Sequence, residues 1–175
     1  MKEKLKIMKW PSLFRYILGD LKIACLSLLL AASVSGATAA SSEITEITLE
    51  RTPCFGTCPV YEVTLRSDGT VVYEGKRFTK EIGRRTGKIS TKQFQELATK
   101  IEQIGFFALN DEYLTKKNAD GSETRVTDLP SRITTVKRGA ESKRIRNYFG
   151  GPESLKELEE LIDRISNSGI WVGKK

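Results

Sequence analysis

Apolar side chains recur at every second position in three early stretches, the period of a strand with one buried face. Residues 44–49 set Ile47 and Leu49 on one side, and 60–66 and 70–74 continue the pattern with Val63, Leu65, Val71 and Tyr73. Ser67-Asp68-Gly69 lies between the last two and signals a hairpin. Burial chooses its register. A two-residue Asp-Gly loop sets Leu65 opposite Val72 but Val63 opposite Glu74. A three-residue loop, with Gly69 left-handed in a bulge, sets Leu65 opposite Val71 and Val63 opposite Tyr73. That register joins apolar to apolar and is the one expected. A basic, strand-like segment then runs over 78–89, with Gly83 and Gly87 as bends.

The period next changes to that of a helix. Ser90-Thr-Lys-Gln93 reads as a capping box. Phe94, Leu97, Ala98, Ile101 and Ile104 form one stripe, and Gly105 fits a left-handed C-terminal cap. Phe106 to Leu109 should enter the core. Residues 110–130 are polar, with a turn at Asn118 to Gly121, and form the longest irregular segment. A second hairpin is expected from 132–137 and 143–148 around Arg138-Gly-Ala-Glu141. Gly150-Gly151 breaks the strand, and Pro152 suits the first turn of a second helix. Leu155, Leu158, Leu161, Ile162 and Ile165 mark its buried stripe, leaving Glu157, Glu159 and Glu160 for its wet face. Gly169 ends that helix, and Ile170-Trp171-Val172 docks back on the domain. Tyr61, Tyr73 and Trp171 read as core or rim aromatics. The fold class is therefore α+β, an antiparallel sheet of five or six strands with two helices packed on one face.

Residues 1–40 read differently. Lys2, Lys4, Lys6, Lys9, Arg15 and Lys22 precede an apolar run, Ile23 to Val34, which ends in Ser35-Gly-Ala-Thr-Ala-Ala40. This is the pattern of a signal peptide, with cleavage near Ala39 or Ala40. Met8 is a second candidate start. Retention as a membrane anchor is the alternative. An anchor needs roughly 20 predominantly apolar residues, and this run is shorter and turns Ser/Gly/Thr-rich. Cys25 does not read as lipidated, because the apolar run follows it. The expected organisation is a signal peptide over 1–40 and a single domain over 41–175, placed in the periplasm or secreted.

Cleavage changes the charge argument. The whole chain carries 29 basic and 22 acidic residues, a net +7. Without the leader, 23 basic and 20 acidic residues remain, a net +3. The compositional case for nucleic-acid binding disappears with it. The chain has no histidine. That excludes Ser-His-Asp and Cys-His nucleophile systems, a histidine base and histidine-ligated zinc.

Cys54 and Cys58 are the two cysteines outside the leader, set in Arg51-Thr-Pro-Cys-Phe-Gly-Thr-Cys-Pro-Val-Tyr61. In an exported chain two such close thiols favour a disulfide. Gly56 lets the short loop close, and Pro53 and Pro59 stiffen its two ends. The alternative is thiol-redox or Cu(I) chemistry, since soft thiolates suit Cu(I). Cys54, Cys58 and Pro59 resemble the copper-carrying motif of the SCO-type cytochrome oxidase assembly proteins. That family adds a distant histidine and a thioredoxin-like fold, and neither pattern is present. Both methionines lie in the leader, so no thioether replaces the histidine.

The stretch from Thr48 to Gly75 as a whole resembles the start of an uncharacterised family of bacterial exported domains. Its pattern is Cys-Phe/Tyr-Gly-x-Cys-Pro-x-Tyr, a strand, Asp-Gly, and a strand ending Tyr-x-Gly. Gly105-Phe-Phe and the helix over 155–165 fit the same layout. The resemblance implies a shared fold and no activity.

Bases cluster at Lys76, Arg77, Lys80, Arg84, Arg85 and Lys88, and again at Arg132, Lys137, Arg138, Lys143, Arg144 and Arg146. The plain reading is a solvated sheet face. The functional one takes Arg84, Arg85, Lys143, Arg144 and Arg146 as a site for an anionic envelope component. Another envelope protein is the other partner considered. Glu62, Glu74, Asp111, Glu112 and Asp128 are candidates for a general-acid pair or a calcium site, and a carboxylate hydrolase stays open as a third class, but their spacing matches no recognised ligand loop. No catalytic residue, metal or cofactor is assigned. The expected function is an exported, non-catalytic binding or structural module with a disulfide-closed loop.

Overall fold

The structure, a computed structural model, describes residues 43–173. The expected leader, its cleavage site and Cys25 lie outside them. The early alternation folds into β1 (Ile44–Arg51), β2 (Val60–Arg66), β3 (Thr70–Arg77) and β4 (Gly83–Lys88). The helical stripe folds into α1 (Thr91–Gln103), followed by a 3₁₀ turn over Phe106–Ala108. Two-residue strands β5 (Glu112–Tyr113), β6 (Lys116–Lys117) and β7 (Glu123–Thr124) punctuate the polar segment. The chain closes with β8 (Arg132–Arg138), β9 (Glu141–Asn147), α2 (Glu153–Ser166) and α3 (Gly169–Val172).

Among the described residues the main sheet has seven strands in the order β4-β3-β2-β1-β8-β9-β5, and β6 pairs β7 in a separate ribbon. The expectation of five or six antiparallel strands is thus corrected at one edge. The six long strands are antiparallel, but β5 adds parallel to β9, with Glu112 opposite Arg146 and Tyr113 opposite Asn147. Two residues carry no readable period, so this strand leaves no mark on the sequence.

The hairpin register follows burial as expected, with Leu65 opposite Val71 and Val63 opposite Tyr73. Gly69 sits at φ +79, and a Cβ there would meet the Ile89 carbonyl at 2.4 Å, so both backbone and space require glycine. The Ser90 capping box forms, and Gly105 is left-handed at φ 62. Gly83 turns into β4 at φ +79, but Gly87 is no bend. It lies within β4, opposite Val71, and Trp171 packs over it, so its missing side chain makes room for an indole. Gly169 does not end α2. Asn167 does, in the left-handed region at φ 55, and Gly169 opens the extra turn of α3.

One face of the sheet carries the core. Ile47, Leu49, Val63, Leu65, Val71, Tyr73, Val136 and Ile145 meet Phe94, Leu97 and Ile101 of α1 and Leu155, Leu158 and Ile162 of α2, all buried in one cluster. Each such side chain contributes roughly 1.5–3 kcal/mol. Phe106 joins it, fully buried. Trp171 stacks against Tyr73 with ring centroids 5.1 Å apart, so the C-terminal segment docks as expected. The other face is polar. Thr48 and Thr64 share a 3.0 Å hydrogen bond there, and Lys76 pairs with Glu50 and Glu62.

Candidate functional site

The last row of the sheet runs Gly75, Tyr61, Arg51, Arg132, Asn147 and Tyr113 across six strands, and Gly83 completes it at the β4 edge. Beyond this row lie the β1–β2 connection with both cysteines, the β3–β4 connection, the segment entering β8 and the exit from β9. The sequence-predicted loop and the long polar segment therefore share one end of the molecule.

Cys54 and Cys58 are joined by a disulfide with their Cα atoms 5.7 Å apart, inside the usual range. Gly56 takes φ 145 between them. Main-chain bonds tie the loop to its neighbour. Thr52 N–H donates to the Ser131 carbonyl at 3.0 Å, Ser131 N–H to Thr52 Oγ1 at 2.7 Å, and Phe55 N–H to the Asp128 carbonyl at 3.2 Å. Tyr148 braces the same segment by donating to the Val126 carbonyl at 3.0 Å and accepting from Leu129 N–H at 3.3 Å. The loop is held at both ends, yet the Phe55 side chain stands 88% exposed at its tip. A free aromatic of that size on a fixed loop is the least compensated feature of the described surface.

Beneath the loop, the last row joins α2 in a network of buried and half-buried polar groups. Asp163 of α2 pairs with the Arg51 guanidinium through Oδ2. Its Oδ1 accepts from Tyr61 OH at 2.7 Å and from Ser168 Oγ at 2.9 Å. Burial, and then the Asp163 charge, push the Tyr61 phenol far above its ordinary value. One turn earlier, Glu159 is fully buried. Asn147 Nδ2 donates to both of its oxygens at 3.1 Å, and Arg132 Nη1 to Oε2 at 3.3 Å. Burial pushes the Glu159 carboxyl up to about 7, against the pull of Asn147, Arg132 and Arg51. The wet-face assignment of Glu159 is thus wrong. The signal was present, since position 159 lies four after Leu155 and three before Ile162, on the buried stripe.

An open depression of about 460 Å³ borders this network, lined by Tyr61, Asp163, Arg164, Asn167 and Ser168 among others. The acid at its floor is already saturated by three donors, and Glu159 does not reach it. The arrangement fixes α2 across the sheet end, and Glu160 and Arg164 line the depression beside it. Among the described residues no group of three or more His, Cys, Asp or Glu is placed to hold a metal ion.

The basic residues singled out from the sequence are divided. Arg84 and Arg85 lie on β4, while Lys143, Arg144 and Arg146 lie on β9, five strand spacings away, on the order of 24 Å. Arg85 pairs with Glu81 at 2.8 Å, Lys143 pairs with Asp111, and Arg146 Nε donates to Ser131 Oγ at 3.2 Å. Among the acids, Glu62 and Glu74 face each other across β2 and β3, while Asp111 is held by Lys143 and Asp128 sits in the segment before β8, at φ 71.

The family model described as Domain of unknown function (DUF6438) matches residues 45–166. The chain belongs to that family. The match runs from within β1 to the end of α2, so the stapled loop and all of the polar network except Ser168 fall inside the shared domain. No curated protein matches the chain.

Proposed function

We propose that this member of the DUF6438 family is an exported, non-catalytic binding module of the cell envelope, and that it meets its partner through the loop end of the sheet. The observation that carries the reading is Phe55, 88% exposed on a loop closed by the Cys54–Cys58 disulfide. A rigid loop presents an apolar side chain without the ordering cost that a flexible one incurs on binding. The ionisable groups behind it are engaged with one another, which suits a scaffold better than a reaction centre. The basic leader and apolar run of the sequence supply the route out of the cytoplasm, and the disulfide suits the compartment beyond it.

A photo-crosslinking phenylalanine analogue at Phe55, in the native host, tests this. A discrete adduct is expected from position 55 and none from Ala140, in the β8–β9 turn at the opposite end. Opening the loop with Cys58→Ser should weaken it. Adducts from position 140 alone, or from neither position, would contradict the reading.

A further inference from the structure

The six large apolar side chains left exposed among the described residues are Phe55, Phe78, Ile82, Leu114, Leu129 and Ile170. The topology gathers all of them at one end. Phe55 tips the β1–β2 connection, and Phe78 and Ile82 lie in the β3–β4 connection. Leu114 follows β5, and Leu129 precedes β8. Ile170 lies in α3, which is tied to the β3–β4 connection by Lys80 N–H to the Val172 carbonyl at 3.0 Å and Glu81 N–H to the Trp171 carbonyl at 2.8 Å. The opposite end, with the turns at 67–69 and 139–140 and the start of β1, shows none of them.

The charge pattern matches this asymmetry. Segments 52–59, 148–152 and 167–173 contain no Asp, Glu, Lys or Arg, in a chain that is 29% charged. Bases flank them. Lys76, Arg77 and Lys80 accompany Phe78, with the Arg77 guanidinium 4.9 Å from its ring centroid, and Lys116, Lys117 and Arg125 lie between Leu114 and Leu129. Over residues 76–82 and 114–129, six bases stand against four acids, Glu81, Asp120, Glu123 and Asp128, and Lys76 is shared with Glu50 and Glu62 on the sheet face. The apolar groups are tips on separate connections and form no groove. Such tips suit a fluid apolar phase, and a basic fringe suits an anionic boundary around it.

We infer that the loop end docks on an anionic lipid surface, with Phe55 inserted among the acyl chains and the flanking lysines and arginines at the headgroups. This rests on the reading of that end as the docking end and names what it meets.

The test uses the full chain with Phe55→Trp or Ala140→Trp and vesicles of three parts phosphatidylcholine to one part phosphatidylglycerol, with brominated acyl chains as quenchers. Quenching above the unsubstituted protein is expected at position 55 and not at 140, so that membrane attachment through any other segment is told apart. Replacing the anionic lipid or raising the salt should weaken binding by this end, because screening removes the headgroup attraction. Phe55→Asp with Ile170→Asp, at unchanged melting temperature, should weaken it tenfold or more. No added quenching at position 55, or quenching at 140 beside the start of β1, overturns the inference. A crosslink from Phe55 to a protein, with no quenching, overturns it while leaving the docking end in place.

Discussion

Glu159 shows how a single residue ties stability to pH. Its carboxyl titrates near 7 in the folded chain and near 4.5 when unfolded, because burial disfavours the charge. Between those values the native state holds the extra proton. This contribution is therefore fully present below about 4.5 and is lost as pH rises through 7. Thermal or urea unfolding at pH 5 and pH 8 should show a loss of about 1–3 kcal/mol in the wild type, and Glu159→Gln should flatten that slope. Equal slopes in both proteins would contradict the assignment. Cys54 and Cys58 act by a different route, restricting the unfolded chain. Replacing both with serine should cost about 2 kcal/mol in the chain-entropy view, read from the urea midpoint. The main-chain bonds of Thr52 and Phe55 to the neighbouring segment should keep the fold intact.

Elements were legible where local chemistry and burial agreed. Ser90 and Gln93 fixed the start of α1, and the apolar pairing of Leu65 with Val71 fixed the β2–β3 register. Gly69→Ala tests that register at its turn. Added to a φ of +79 is the Ile89 carbonyl at 2.4 Å, so the variant should lose on the order of 1–3 kcal/mol. A neutral effect would mean that the turn differs from the one described. Elsewhere a distant contact overrode the local signal. Gly87 looked like a bend and serves as a seat for Trp171. Asn167, with Ser168 bonded to Asp163, ended α2 before Gly169 could. β5 is set by pairing with β9 and has no period of its own.

At the scale of the whole molecule, the sheet is closed on one face by α1 and α2 and asymmetric between its ends. The sequence showed Phe55 beside the cysteines but could not show that Phe78, Ile82, Leu114, Leu129 and Ile170 share its end, because only strand order brings them there. For the same reason Arg84 and Arg146 looked like members of one site, and the strand order separates them. Charge reversal on the two groups should therefore behave independently. In vesicle binding, Arg77→Glu should weaken binding more than Arg144→Glu, since Arg144 lies on β9 away from the loop end. The reverse order would move the docking surface to the sheet face.

Export of the chain and closure of the Cys54–Cys58 loop are open to one test. The direct measurement is the intact mass of the protein recovered from its host, alkylated with and without reductant. A chain beginning near Ala40, with no alkylation until reductant is added and two modifications afterwards, is the predicted result. A chain that keeps residues 1–40 and whose Cys54 and Cys58 alkylate without reductant would contradict it.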